Sequence, residues 1–314
     1  MSWLKLTNFD SGAPALAGVN GSLSAVLDWA LPQAGWEIEF STSNARVYRP
    51  GTGRRRRLYV NHDSAMSGSA ALATARGCES AVSATNITDP FPTVAQIANN
   101  ASTWHISTAA SAVERNYVIY LSETFLILLI DCNSTGIFSM AMFGDVPPLF
   151  AEDEWNTIIQ VRNLSTLTTA NTGTTGIGSP TSSTIVATNH IFWCRSIDGS
   201  LKSTHGGLNA SGANLGNVVG TPTPRGGYQN RIYREKVRVN CLGSTSTSVN
   251  TPLSLLKRGS IPNLWNPLHI GIGGLTVNDT FTDEEYDEEA IFRMFPSGST
   301  PVCIIEETET WDAA

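Results

Sequence analysis

The sequence predicts a mainly β fold of the β-rich α+β class, with antiparallel sheets or a sandwich, one short N-terminal helix and long Ser/Thr/Gly-rich loops. Short apolar or alternating runs recur along the chain, separated by turn residues, and the 27 Gly and 15 Pro supply much of that punctuation. One segment alone shows clear helical spacing of its apolar residues. These observations together favour antiparallel β structure.

The predicted helix extends from Ser22 to Leu31. Its apolar residues fall at i, i+3, i+4, i+7 and i+8, which is the spacing of one buried helix face. Ser22 is the expected N-cap, and Pro32 followed by Gly35 is expected to end the helix.

Strands are predicted next, and the clearest pair is a hairpin of residues 117–121 and 125–131 joined by a Ser-Glu-Thr turn. The second arm is apolar at both alternating sets of positions. We therefore expect it to be a central strand that is covered on both faces. The other strands predicted in this half are 36–40, 45–48, 57–60, 137–143 and 155–161.

The composition changes after Arg162, because the next charged residue is Arg195. Within residues 165–188, 13 of 24 residues are Ser or Thr, which fits either a flexible loop or an ordered, loosely packed excursion. We therefore divide the chain into a β-rich core domain, residues 1–162, and a β-rich second half, residues 163–314, packed on the first. Strands in the second half are predicted over 191–194, 231–239, 268–277 and 301–306.

Composition narrows the class of protein. The formal net charge is −7, which argues against a nucleic-acid partner, and no apolar run approaches the ~20 residues of a membrane span. A charge precedes any apolar run at the N-terminus, so no secretory signal is expected. The five cysteines are widely spaced and form no metal-binding or disulfide pattern. We expect them to be buried thiols in a protein made in a reducing cytoplasm.

Chemical motifs are sparse, and we predict no catalytic residues, cofactor or metal. His62-Asp63 is the most suggestive neighbouring pair, and its more ordinary interpretation is a strand end before a turn. Gly271 to Gly274 resembles half of a dinucleotide fingerprint but lacks a surrounding βαβ unit. An enzyme with paired carboxylates assembled from distant residues remains an open alternative.

Two charge clusters are the candidate interface residues. The arginine cluster lies in a predicted turn, and the acidic cluster places six carboxylates in seven residues. Three interpretations stay open: solvated surface loops, pairing between the arginine cluster of one copy and the acidic cluster of another, or binding of phosphate and metal. The arginine cluster is Arg54, Arg55, Arg56 and Arg57, and the acidic cluster is Asp283, Glu284, Glu285, Asp287, Glu288 and Glu289.

The order of several short motifs carries a resemblance to a known family. The motifs are GVNGSLSAVLD from Gly18 to Asp28, AGWEIEF from Ala34 to Phe40, LYVNHD from Leu58 to Asp63, the hairpin of residues 117–131, and KRGSIPNLWNPLH from Lys257 to His269. This succession resembles a family of uncharacterised virion-associated proteins encoded among the structural genes of tailed bacteriophages and prophages. The resemblance covers residues 10 to 160 and part of the C-terminal half. The sequence departs from the family pattern in its short connection between Asp28 and Trp36 and in the arginine cluster.

The resemblance implies a structural component of a tailed-phage virion, made in the host cytoplasm and built in multiple copies into the tail, baseplate or head–tail region. Its expected partners are copies of itself and other phage structural proteins. The alternative is an outward-facing capsid decoration or a receptor- or glycan-binding virion protein that contacts a host surface receptor. Aromatic side chains such as Trp104, Trp193 and Trp265 would serve that alternative if they were exposed, although most such rings are expected in the core.

Overall fold

The chain folds mainly into antiparallel β-sheets with one short α-helix, which confirms the predicted fold class. The computed structural model describes residues 3–62, 71–93, 102–107, 109–132, 134, 138–149, 153–162, 190–195, 199, 232–240, 257–270, 280–283, 287–297 and 300–307. The predicted Ser/Thr-rich excursion, most of residues 163–194, and Gly271 to Gly274 lie outside these residues.

The N-terminal part contains fourteen strands and the helix α1 among the described residues, with α1 covering Ser22–Ala30. The strands are β1 Leu4–Thr7, β2 Leu16–Ala17, β3 Glu37–Ser41, β4 Ala45–Arg49, β5 Arg57–Asn61, β6 Ala71–Cys78, β7 Ser80–Ser83, β8 Asn86–Thr88, β9 Thr103–Ser107, β10 Glu114–Arg115, β11 Tyr117–Leu121, β12 Phe125–Asp131, β13 Phe138–Asp145 and β14 Thr157–Arg162. The later strands are β15 His190–Cys194, β16 Ile232–Asn240, β17 Lys257–Ile270, β18 Thr280–Asp283, β19 Asp287–Ser297 and β20 Thr300–Glu307.

The main sheet has eleven strands in the order β1-β11-β12-β13-β14-β9-β6-β5-β4-β3, with β15 also pairing with β14. The predicted hairpin is present as β11 and β12, in register from Tyr117 opposite Ile130 to Leu121 opposite Leu126. All seven residues of β12 are buried. The prediction of a central strand covered on both faces is therefore confirmed.

Helix α1 covers one face of β12, where its apolar stripe joins Leu126, Leu128 and Ile130 in one core cluster. The predicted helix is confirmed, and it continues as a 3-10 turn over Leu31–Ala34 that ends at Gly35, whose φ is 79°. The prediction of Ser22 as N-cap is wrong. Gly21 occupies the cap at a φ of 76°, and the Ser22 hydroxyl instead donates to the Ala17 carbonyl.

A second, five-stranded sheet in the order β16-β17-β20-β19-β18 lies over the opposite face of β12. Phe125, Ile127 and Leu129 form a second core cluster there with Leu264 of β17 and Ile305 of β20. The helix, the main sheet and the second sheet are thus joined through β12. Because β15 pairs with β14, one strand from the second half of the chain belongs to the main sheet.

Nine of the described strands were not predicted: β1, β2, β6, β7, β8, β9, β10, β18 and β19. Most of them are only two to five residues long, which is too short for a clear alternating pattern. The longer β6 is rich in Ala, and the start of β19 carries the carboxylates Asp287, Glu288 and Glu289. Ala, Asp and Glu are depleted in strands, so these two sequences resemble turns or loops. The predicted strand over 268–277 overlaps only the end of β17, and residues 271–279 lie outside the described structure.

Three cysteines have described side chains, and all five were expected to be buried. Cys78 and Cys132 are buried as expected, while Cys194 is half-buried. Burial raises the pKa of the Cys78 thiol to about 12. None of the described helices has the length and apolar character required to cross a bilayer.

Candidate functional site

The arginine cluster forms the connection between β4 and β5 and is anchored at its first residue. Gly53 has a φ of 73° and Arg55 a φ of 56°, so the chain turns sharply here. The backbone N–H of Arg54 donates to the Asp145 carboxylate at 2.6 Å, and the Thr157 hydroxyl donates to the same carboxylate. Burial raises the pKa of Asp145, and these two donors oppose the rise.

Two arginines of the cluster pair with carboxylates of the edge strand β3. Arg55 lies 3.3 Å from Glu37, and Arg57 forms a two-pronged pair with Glu39 at 2.9 and 3.1 Å. The hydrogen bond from Arg57 lowers the pKa of Glu39 despite its partial burial. Arg49 also pairs with Glu37. The edge of the main sheet therefore carries a row of paired charges, which is unfavourable for edge-to-edge sheet pairing.

Arg56 turns inward instead and is buried. Its Nε donates to both oxygens of Glu79 at 2.9 and 3.0 Å, and its guanidinium lies 4.4 Å from the centre of the Trp155 ring. Arg195 is buried beside it, with Nε 2.8 Å from Glu79 Oε1 and its guanidinium 5.1 Å from the same ring. Two guanidiniums thus share one carboxylate and one aromatic ring.

The arginine cluster accordingly has partners within its own chain: Glu37, Glu39, Glu79 and the carboxylate of Asp145. These partners could not be predicted from the sequence, because they come from segments far apart in the chain and carry no shared local motif. The one available signal was the pair of carboxylates Glu37 and Glu39 on alternate residues of a predicted strand, opposite in sign to the arginine cluster. Pairing of the cluster with a second copy stays a prediction.

Four residues of the acidic cluster are described, and they lie in β18, an edge strand of the second sheet, and in its neighbour β19. Asp283 and Asp287 face each other in the strand register, and Glu288 and Glu289 follow in β19. Glu284 and Glu285 lie outside the described residues. The described four are thus at one border of the second sheet.

The aromatic residues considered for receptor or glycan binding are in the core. Trp104, Trp193 and Trp265 are all buried. The indole N–H of Trp104 donates to the Gln160 carbonyl, and that of Trp265 donates to Glu306. Because all three rings are inside the protein, they are not available to a glycan.

Three of the exposed apolar side chains among the described residues occur at one end of the main sheet, whereas Ile38, Val82 and Leu149 are exposed elsewhere. Phe9, in the turn after β1, is 82% exposed, and Val113, just before β10, is 58% exposed. The side chain of Asn8 donates to Asn116 at 3.1 Å, and β10 pairs with β2, so the turn, Val113 and the exposed Val19 lie in one region. We call Phe9, Val19 and Val113 the apolar end.

His62 has a structural contact. It is buried, and its Nδ1 accepts the Leu23 backbone N–H at 3.3 Å, next to the first turn of α1. Its neighbour Asp63 lies outside the described residues. In the part of the chain that the structure describes, no group of three His, Cys, Asp or Glu side chains is arranged to hold a metal ion.

No family model matches the chain, and comparison with curated proteins finds no match.

Proposed function

We propose that the chain is a structural subunit of a tailed-bacteriophage virion, present in multiple copies in the tail, baseplate or head–tail region. The order of its sequence motifs resembles that of virion-associated proteins of such phages. This resemblance is the reason for proposing a phage virion as the assembly that contains the chain. The partners would be copies of this chain and neighbouring structural proteins, assembled in the host cytoplasm.

The apolar end is the observation that carries the proposal of an assembled subunit. An aromatic ring as exposed as Phe9, with Val19 and Val113 nearby, is typical of a surface that a protein partner covers. The sheet behind this surface is firmly held, because Asn8 Oδ1 accepts the Tyr117 N–H and the Tyr117 hydroxyl donates to the Pro14 carbonyl at 3.0 Å. A rigid surface loses little conformational entropy on binding.

The shared core of the two sheets also supports a structural role. β12 packs against α1 on one face and against the second sheet on the other, so the two halves form one packed unit through this strand. A subunit of this kind transmits force between its surfaces without internal rearrangement.

Substitution of Phe9 tests the proposal. In phage-infected cells, a tagged Phe9→Ser variant should enter particles about tenfold less than the wild type, because an interface anchor of this size contributes on that order. Val82→Ser is the matched control, since Val82 is 69% exposed but lies on the β7–β8 hairpin. Equal incorporation of Phe9→Ser and wild type, at equal thermal stability, would contradict the assignment of the apolar end as an assembly surface.

A further inference from the structure

Arg115 is a buried cation without a carboxylate partner. It is only 7% exposed, and within the described part of the chain no carboxylate lies at ion-pair distance from its guanidinium. Its side-chain hydrogen bonds go to two hydroxyls, Ser107 at 3.0 Å from Nε and Ser134 at 2.8 Å from Nη1. This arrangement buries a guanidinium whose charge two neutral hydroxyls cannot balance.

The local backbone holds the guanidinium in this position. Arg115 is the second residue of β10 and pairs with Leu16 of β2, so its side chain lies on the side opposite that of the exposed Glu114. Ser107 ends β9, and its hydroxyl also accepts the Ala109 N–H at 3.2 Å. Ser134 is exposed and has a φ of 59°, a left-handed conformation that is unfavourable for a residue other than glycine.

The donors that remain define the ligand class. A guanidinium has five N–H groups, and Ser107 and Ser134 take two, which leaves three on Nη1 and Nη2. These nitrogens form the end of the guanidinium that binds an oxyanion in a two-pronged manner. Both serine oxygens accept from Arg115, so their hydroxyl protons are available to donate to the same ligand. The exposed Ser134 places the site next to solvent.

We propose that Arg115, Ser107 and Ser134 form an oxyanion-binding site near the apolar end of the main sheet. The ligand is a small oxyanion of the phosphate or sulfate type, or a carboxylate from another copy of the chain that presents the same two oxygens. The site neutralises the buried guanidinium, so its occupation stabilises the folded protein.

Anion-dependent thermal unfolding tests the site. At constant pH and ionic strength, replacing chloride with inorganic phosphate should raise the unfolding midpoint of the wild type by about 3 °C or more, because a ligand of the folded state stabilises it. Arg115→Gln should remove the phosphate-dependent rise. Ser134→Gly is a milder variant, since glycine adopts the φ of Ser134 without strain, and it should weaken phosphate binding several-fold. Ser41→Gly, on the exposed edge strand β3, should retain the full rise.

Sedimentation in the same buffers separates the two sources of the anion. If a carboxylate of a second copy fills the site, phosphate should dissociate oligomers of the wild type. If a free anion fills it, phosphate should raise the midpoint and leave the sedimentation coefficient unchanged. Identical midpoints in phosphate and chloride for the wild type, with no effect of phosphate on oligomers, would overturn the proposal. So would an equal phosphate-dependent rise in the wild type and Ser134→Gly.

Discussion

The hydroxyl of Tyr120, in the main sheet, donates a hydrogen bond to the carboxylate of Glu307, at the end of the second sheet. The same carboxylate accepts from Arg293 at 2.8 Å and from Lys5 at 2.9 Å. Lys5 lies on β1 and Arg293 on β19, so one carboxylate joins strands from both sheets at the border of the second core cluster. Glu307 therefore links the two sheets by hydrogen bonds and ion pairs, in addition to the apolar contact that β12 makes with the second sheet.

Removing the Tyr120 hydroxyl should destabilise the fold more than removing the hydroxyl of Tyr117. Tyr120→Phe loses a hydrogen bond to an ionised acceptor, which contributes about 2 kcal/mol to the free energy of unfolding. Tyr117→Phe loses a bond to a neutral backbone carbonyl, that of Pro14, and should cost about 1 kcal/mol. Urea unfolding at neutral pH measures both, and a larger cost for Tyr117→Phe would contradict the ionised pairing of Glu307.

Glu307 should also make stability depend on pH in the acid range. Burial raises its pKa, but hydrogen bonds from Arg293 and Tyr120 and the charge of Lys5 outweigh burial and hold the pKa below its ordinary value of 4.5. The stabilisation by the ionised form is complete above 4.5 and is lost as the pH falls through the folded-state pKa. The free-energy difference between wild type and Glu307→Gln should narrow from pH 5 towards pH 3, measured by urea titration. A difference that stays constant over this range would show that Glu307 does not titrate as described.

Gly144 should tolerate a methyl group poorly. Its φ is 147°, and an added Cβ would overlap the carbonyl oxygen of Thr124 and the backbone of Phe125. Gly144→Ala should therefore destabilise the protein by about 2 to 3 kcal/mol through overpacking and backbone strain. Gly35→Ala has open space around the new methyl group and carries only the strain of its positive φ, about 1 kcal/mol. The thermal midpoint should fall further for Gly144→Ala, and equal midpoints would mean that the close approach is not rigid.

Neutralising Glu79 should have the largest effect within the arginine cluster and its partners. Glu79→Gln leaves the guanidiniums of Arg56 and Arg195 buried without their shared carboxylate, which should cost about 3 kcal/mol or more. Glu37→Gln is the matched control, because Glu37 is on the surface and solvent screens its pairs with Arg49 and Arg55. Little change in unfolding free energy is expected for that variant. A similar effect of both substitutions would contradict the inward orientation of Arg56.

The sequence predicts those features that local pattern controls. Six consecutive apolar residues, Phe125 to Ile130, leave few alternatives to a buried central strand, and the apolar spacing after Ser22 predicts a helix. The strand Ala71–Cys78 was missed because its small residues become strand only through pairing with β5 and β9.

The partners of the candidate sites depend on tertiary contacts in the same way. Glu79 meets Arg195, and Arg115 meets Ser134, only after distant segments have come together. Arg56 and Arg57 belong to one run of identical residues, yet one is buried on Trp155 and the other pairs with the edge strand. Successive side chains of an extended chain point to opposite sides, so neighbouring arginines reach different partners. A run of identical residues does not indicate which arginine lies on which side.

A symmetric reconstruction of the intact phage particle tests the central proposal most directly. If the chain is a structural subunit, its two sheets should fit repeated density in the tail, baseplate or head–tail region, with Phe9 and Val113 covered by a neighbouring subunit. Particles that contain no copy of the chain, or copies whose apolar end faces solvent throughout, would contradict it.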